Sequence, residues 1–465
     1  MTAPEASARV RAALFAIVAC VVLNLGATPK YWAAIEPDVL AGHPRLATLP
    51  WLPFAYIYRR AADEELYFTT AQGMLGRPTD PDVIRRTRGD LPDEFKRLPP
   101  ADGHLHAPYR EVAIEYPPIA LPFLMLPALV AASFATFAVL FGATMGALLV
   151  ASAWLVARVG ELNAAARLRA YGLGCAMLLA HGAISVQRLD AIVAGCLAIA
   201  FAGAVKRDAR ILGLGVGLAF AAKILPALVV LPLVAVDARA WSRRARLELV
   251  AIASIVGALG LLPLALAGES GWHGFFGYHG QRGLQVESTL AVLLETARWI
   301  AGHAQPATLS YGSWNVAGGV ADALAKLSLP LTALAMLIVT AVVWRSDAEE
   351  HDRVEPRAER AALAMLAGCV TLWLTGKVFS PQYLTWAIPL VMVLRGPAAT
   401  PIARATIASL LLAQLYLRLY YGEIIACGAV GVLTLLARAA LLAFVLIAAV
   451  RALRTPAREG ARARS

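Results

Sequence analysis

The sequence predicts an all-α, polytopic helical membrane protein with about 12 transmembrane helices, within a range of about 10–13. Three observations carry that prediction. Of 465 residues, 59% are hydrophobic and 16% charged, whereas soluble globular domains run nearer half apolar and a quarter charged. Mean hydropathy is +0.64. Apolar runs long enough to cross lipid recur along the whole chain, so one buried core does not account for them.

The first run, near 10–29, follows Arg9 and Arg11 and leads into Ala27-Thr28-Pro29-Lys30, so it reads as a retained span and not a cleaved leader. The polar stretch 30–116 reads as a large extracytoplasmic loop. Within it, Asp63-Glu64-Glu65 opens a pattern in which Leu66, Tyr67, Thr70, Ala71, Met74 and Leu75 recur at helical spacing. Gly76 and Pro78 close it, and the expectation is an amphipathic helix lying on the membrane surface. The three acids also suit the positive end of the helix dipole, and consecutive acids face different ways, which is poor geometry for a metal. The stretch 79–110, with Pro81, Gly89, Pro92, Pro99, Pro100 and Gly103, reads as irregular.

Glu115-Tyr116-Pro117-Pro118 then meets the next apolar run. Prolines fit a first helical turn, whose N–H groups have no intrahelical partner, but they leave an acid at the lipid boundary unexplained. The run 117–158 has room for one span, near 132–157, and a short re-entrant piece. Further spans fall near 170–187, 190–205, 247–267, 328–344, 403–421 and 427–450. Two runs, 211–236 and 361–395, each fit a tight helix pair, breaking near Lys223–Pro226 and Lys377–Pro381. The whole chain, 1–465, reads as one integral membrane domain with a charged cytoplasmic linker at 346–360 and a basic cytoplasmic tail at 452–465.

The formal charge of +11 invites a nucleic-acid reading, since basic stripes are the footprint of phosphate binding. Its distribution excludes that. Segments on the side of the two termini hold 23 Lys and Arg against 12 acids, the whole surplus, whereas the loop 30–116 holds 11 basic and 13 acidic residues. That asymmetry is the positive-inside pattern and places both termini in the cytoplasm. The five cysteines (Cys20, Cys175, Cys196, Cys369, Cys427) avoid the outer loop, so no disulfide framework is expected there. A Gly-x-x-x-x-Gly-Lys-Ser/Thr phosphate loop is also missing, which argues against nucleotide-driven chemistry.

Polar groups that interrupt the apolar pattern gather on the side opposite the basic loops. They are Arg188-Leu189-Asp190, Lys223 ahead of Pro226, the stretch Tyr278–Ser288 with His279, Arg282 and Glu287, and Lys377 followed by Ser380, Gln382 and Tyr383. Each has a plain explanation, such as an internal Arg188–Asp190 ion pair or a Lys223 that snorkels to the interface. Clustering at one face suits a cavity that opens to the outside and works there. A group transfer at such a site needs one base to deprotonate an acceptor hydroxyl and cations where charge develops on the leaving group. Arg188, Lys223, Arg282 and Lys377 are the candidate cations. No compact ligand cluster is visible, so neither a metal nor another cofactor is expected.

Taken in order, Asp63 with Tyr67 and Gly76, then Glu115-Tyr116-Pro117-Pro118, Arg188-Leu189-Asp190, Lys223 with Pro226, Arg282 through Ser288, and Ser380-Pro381-Gln382-Tyr383 resemble glycosyltransferase family 87 over roughly 55–390. These are bacterial polyprenyl-phosphate-mannose-dependent mannosyltransferases of the GT-C superfamily. The resemblance implies a GT-C-type membrane fold. It also implies transfer of a hexose, mannose in the family, from a polyprenyl-phosphate donor to a glycan or glycolipid hydroxyl. That reaction would run at the outer face of the plasma membrane, with inversion. Asp63 matches the catalytic base. Tyr67, Glu115, Arg188, Asp190, Lys223, His279, Arg282, Glu287, Lys377, Ser380, Gln382 and Tyr383 would bind substrate. One departure stands out: some mannosyltransferase members of the family carry Ser-Pro ahead of a His-containing stretch, and here Gln382-Tyr383-Leu384-Thr385-Trp386 follows. A multi-span transporter or lipid flippase is the competing class, but no inverted repeat or matched pair of broken helices supports it.

Overall fold

A computed structural model of the chain describes residues 3–26, 62–89, 91–160, 162–236, 238–348 and 357–454. Much of the expected outer loop (27–61), most of the charged linker (349–356) and the tail from 455 lie outside the described residues. What is described is a bundle of helices with one small sheet, an all-α polytopic membrane protein.

The N-terminal part holds α1 (Ala3–Gly26), α2 (Ala62–Met74), α3 (Pro81–Arg88) and α4 (Asp93–Lys96). The 79–110 stretch is therefore partly helical, against its Pro and Gly content. Asp80 caps α3 by accepting from the Asp82 N–H at 2.8 Å, with Pro81 in the first turn where its missing N–H costs nothing. The run 117–158 divides as expected into a short piece and one span. A 3₁₀ turn at Pro118–Ala120 leads to α5 (Leu121–Val130), and Ser133 caps the 26-residue α6 (Phe134–Val159).

Next come α7 (Ala164–His181), α8 (Asp190–Lys206), α9 (Ala209–Lys223), α10 (Pro226–Ala235) and α11 (Arg243–Leu266). The break between α9 and α10 falls where Lys223–Pro226 predicts it. Its geometry is unusual: Ile224 has φ 59 and ψ −69, and the Leu225 N–H bonds back to the Lys223 carbonyl at 2.7 Å. That is a γ-turn of the rare, strained hand, centred on a β-branched residue. It stops α9 with Lys223 at its tip.

Beyond α12 (Glu269–Gln281), the short strands β1 (Leu284–Gln285), β2 (Thr308–Ser310) and β3 (Ser313–Val316) form an antiparallel sheet in the order β1-β3-β2. Helix α13 (Thr289–Ile300) lies between β1 and β2. The chain closes with α14 (Gly319–Ala348), α15 (Arg357–Thr375), a 3₁₀ helix at Pro381–Ala387 running into α16 (Ile388–Val391), α17 (Ala399–Leu419), α18 (Tyr421–Ile425) and α19 (Ala429–Arg454).

Among the described residues, six helices are long and apolar enough to cross a membrane: α6, α11, α14, α15, α17 and α19. The sequence predicts about 12 crossings over the whole chain. Some of the expected spans are shorter helices for local reasons. The 211–236 run divides into helices of 15 and 10 residues, and the second half of 361–395 is a 3₁₀ helix with one α-turn. About 20 residues of α-helix are needed to span lipid alone, so these pieces are covered by neighbours instead. Hydrogen bonds pin the two ends of α15 differently. At its start, Glu359 accepts from the Arg395 N–H at 3.0 Å, and Arg395 reaches the Gly160 carbonyl at 3.2 Å. The polar groups singled out from the sequence gather around its other end.

Candidate active site

Helix α2 brings Asp63 into the bundle. It is not the surface helix that its periodicity predicts: Glu64, Leu66, Tyr67, Thr69, Thr70 and Ala71, spread around the whole helix, are all buried. The correction has a physical reason. The polar side of α2 finds partners inside the protein, with Thr70 donating to the Leu66 carbonyl at 2.7 Å and the buried Arg88 of α3 donating to Thr70. Arg88 also donates to the Phe95 carbonyl at 2.6 Å, tying α2, α3 and α4 together. Of the three acids that open α2, Glu64 and Glu65 are 0% and 4% exposed, whereas the Asp63 side chain is 36% exposed. Asp63 is the acid that faces solvent.

Arg188 holds it, with Nε 3.0 Å from Asp63 Oδ2 and a guanidinium that is itself only 7% exposed. Asp190 accepts from Lys223 Nζ at 2.9 Å and from Trp386 Nε1 at 2.9 Å. An internal Arg188–Asp190 pair is one plain explanation of the sequence, but these contacts lead elsewhere. Each member reaches across to another element, and the lysine with no acid beside it in sequence finds Asp190. Lys223 Nζ also lies 4.1 Å from the centroid of the Tyr383 ring, so the aromatic face supplies part of its solvation. Tyr67, buried within electrostatic reach of Asp63, Arg188 and Asp190, packs edge-on against Tyr116 at 5.1 Å.

The sheet, α12 and the turn between them carry a second group of these residues. His279 Nε2 lies 2.9 Å from the Glu115 carbonyl oxygen. Arg282 Nε donates to Ser313 Oγ at 3.0 Å, and the Lys377 ammonium donates to the carbonyls of Gly280 at 3.0 Å and Arg282 at 2.7 Å. Arg282 and Lys377 are thus neighbours whose partners here are neutral groups. Arg282 also lies within electrostatic range of Glu115, Lys223 and His279. Burial pushes the Glu115 carboxyl up to about 7, partly opposed by its hydrogen bond to Tyr116 and the charge of Arg88.

The structure brings together ten of the sequence candidates: Asp63, Tyr67, Glu115, Arg188, Asp190, Lys223, His279, Arg282, Lys377 and Tyr383. Ser380 and Gln382 hydrogen-bond to each other beside Tyr383. Glu287 belongs to a neighbouring buried cluster with Tyr416, Tyr421 and Arg438. Sequence reading missed Arg438, although a charge inside the run 427–450 was a visible signal. It also missed Ser313 and Trp386, whose types carry no such signal. Among the described residues, no group of three or more His, Cys, Asp or Glu side chains is placed to hold a metal ion.

An acid open to solvent and fixed by a buried arginine, in a neighbourhood that holds further cations, can accept a proton while an anion departs nearby. The comparisons with known proteins bear on the class of reaction. The sequence model of glycosyltransferase family 87 matches residues 114–355, just over half of the chain. That match includes Glu115, Arg188, Asp190, Lys223, His279, Arg282 and Glu287. Asp63 and Tyr67 precede it, and Lys377, Ser380, Gln382 and Tyr383 follow it. No curated protein matches the chain.

Proposed function

The chain belongs to glycosyltransferase family 87 and is a membrane glycosyltransferase, and from that premise we propose that it moves a hexose, mannose first, from a polyprenyl-phosphate donor to an acceptor hydroxyl. The acceptor is a glycan or glycolipid, and the reaction runs at the outer face of the plasma membrane with both termini cytoplasmic. The supporting observation is that a partly exposed carboxylate, Asp63, paired with Arg188, shares the electrostatic neighbourhood of Glu115 with Arg282, and that Arg282 and the adjoining Lys377 are bonded to neutral partners.

In this reading Asp63 accepts the proton of the acceptor hydroxyl. The freed oxygen attacks the anomeric carbon from the face opposite the phosphate, and the bond from that carbon to the phosphate oxygen breaks. The bonding electrons leave on the phosphate, so configuration inverts. Arg282 and Lys377 stabilise that charge: a guanidinium can grip two phosphate oxygens and an ammonium acts as a point charge. Arg188 holds the base in one orientation. Lys223, already neutralised by Asp190, lines the site with Tyr383. The surrounding apolar helices suit a donor whose sugar is carried on a lipid.

Donor choice tests the reading. Membranes containing the full-length protein should transfer label from polyprenyl-phosphate [¹⁴C]mannose into an extractable product. Transfer from a nucleotide sugar alone, with none from the lipid-phosphate sugar, would contradict it.

A further inference from the structure

Arg438 sits in α19, outside the segment that the family model covers. It is nine residues into the helix, about 13 Å along its axis. The side chain is 1% exposed. Its Nη1 donates to the Tyr416 hydroxyl at 2.8 Å, its Nη2 donates to the Glu287 carbonyl, and the guanidinium lies 4.1 Å from the centroid of the Phe379 ring. Tyr416 in turn donates to Glu287 Oε1 at 2.6 Å, and the Gln285 amide reaches Oε2 at 3.2 Å.

One guanidinium therefore touches both stretches of chain that carry the neighbouring cations of the site. Glu287 follows Arg282 by five residues and Phe379 follows Lys377 by two. The two stretches are joined to each other as well, through the Gln285 N–H and the Lys377 carbonyl at 3.0 Å. Burying an arginine in a helical membrane bundle is expensive, and well-packed apolar side chains often serve stability as well as a buried ion pair. Stability alone gives little reason for this arrangement; fixing two loops in register gives one.

We propose that Arg438 is a positioning residue for the anion site. By gripping the 284–288 turn and stacking on Phe379, it holds Arg282 and Lys377 side by side against their mutual repulsion, ready for a phosphate. It touches neither of them. The proposal rests on the reading that these two cations receive the donor's phosphate.

The test uses full-length protein in lipid nanodiscs, with Arg438→Met, Arg438→Lys and Glu287→Gln. Leu442→Ala serves as a packing control, because Leu442 is a buried residue one turn further along the same helix. Arg438→Met should raise KM for the polyprenyl-phosphate sugar at least tenfold while kcat stays within threefold, and Arg438→Lys should recover part of the loss. Amide hydrogen exchange should quicken in 282–288 and 376–380 in Arg438→Met but not in Leu442→Ala. A donor KM within twofold of wild type, or equal quickening in both variants, overturns the proposal. Should Arg438→Met fail to fold, Glu287→Gln carries the test: a threefold or greater rise in donor KM supports the proposal and an unchanged KM overturns it. Failure of the functional reading is separate, since wild-type protein would then not transfer from the lipid donor, and hydrogen exchange would still decide the role of Arg438.

Discussion

Glu115 shows how the site alters the chemistry of a single residue. The fold takes this carboxyl to 9% exposure, and burial moves its pKa from an ordinary 4.5 to about 7. The raised value fixes the sign of its effect. Its contribution to stability is complete below about pH 4.5 and is lost as pH rises through about 7. At about 1.4 kcal/mol per pH unit, that shift corresponds to roughly 3 kcal/mol. Thermal unfolding of the wild-type protein in detergent should therefore show a midpoint falling across that window, with a visibly flatter profile for Glu115→Gln. Identical profiles would remove Glu115 as the cause. Residues of this kind were legible in the sequence, because a charge in an apolar chain is conspicuous. Their partners were not. Arg188 and Asp190, two positions apart, look paired on paper, yet at the entry to a helix they point in different directions, towards Asp63 and Lys223. Arg438 had no neighbour in sequence to hint at Glu287, which lies 151 positions away.

The elements that carry these residues are packed through glycine. A Cβ at Gly215 of α9 would collide with the backbone of Ala200 on α8, and one at Gly203 of α8 would collide with Leu212 on α9. This contact lets the tips of the two helices bring Asp190 and Lys223 within hydrogen-bonding distance, as small residues let membrane helices approach closely. Gly215→Ala should destabilise the protein by about 1–3 kcal/mol through overpacking. Gly274→Ala is the control, since nothing lies within 4 Å of its added Cβ. Here the extra methyl should be neutral or stabilising by up to about 1 kcal/mol. A pair of unfolding midpoints that moved alike would show that the α8–α9 contact is slack. Sequence reading located the break after α9 from Pro226, but not the strained turn at Ile224 that forms it, because a β-branched residue is the last expected at positive φ. It also read α2 as lying on a surface, since periodicity reports the apolar face and is blind to a neighbour such as α3 covering the polar one.

At the scale of the molecule, the chain sorts its charges by helix end. At the start of α15 Glu359 accepts from the backbone N–H of Arg395, while Lys377 follows its other end and lies with Arg282, Lys223 and Asp63 in the candidate site. The membrane class and the gathering of polar groups at one end were legible in composition and order alone. Which apolar runs form a single long helix was not, because hydropathy cannot separate a helix that crosses lipid from two short ones buried by their neighbours. The proposed role of Asp63 is to take the acceptor's proton on its carboxylate; an amide there would keep the shape and lose that ability. General-base catalysis contributes about 10²–10⁴-fold. The most direct measurement is kcat for sugar transfer from polyprenyl-phosphate mannose by wild type and Asp63→Asn, with folding of the variant confirmed by its unfolding midpoint. The account predicts a loss of at least about a hundredfold in a folded protein; transfer at the wild-type rate would contradict it.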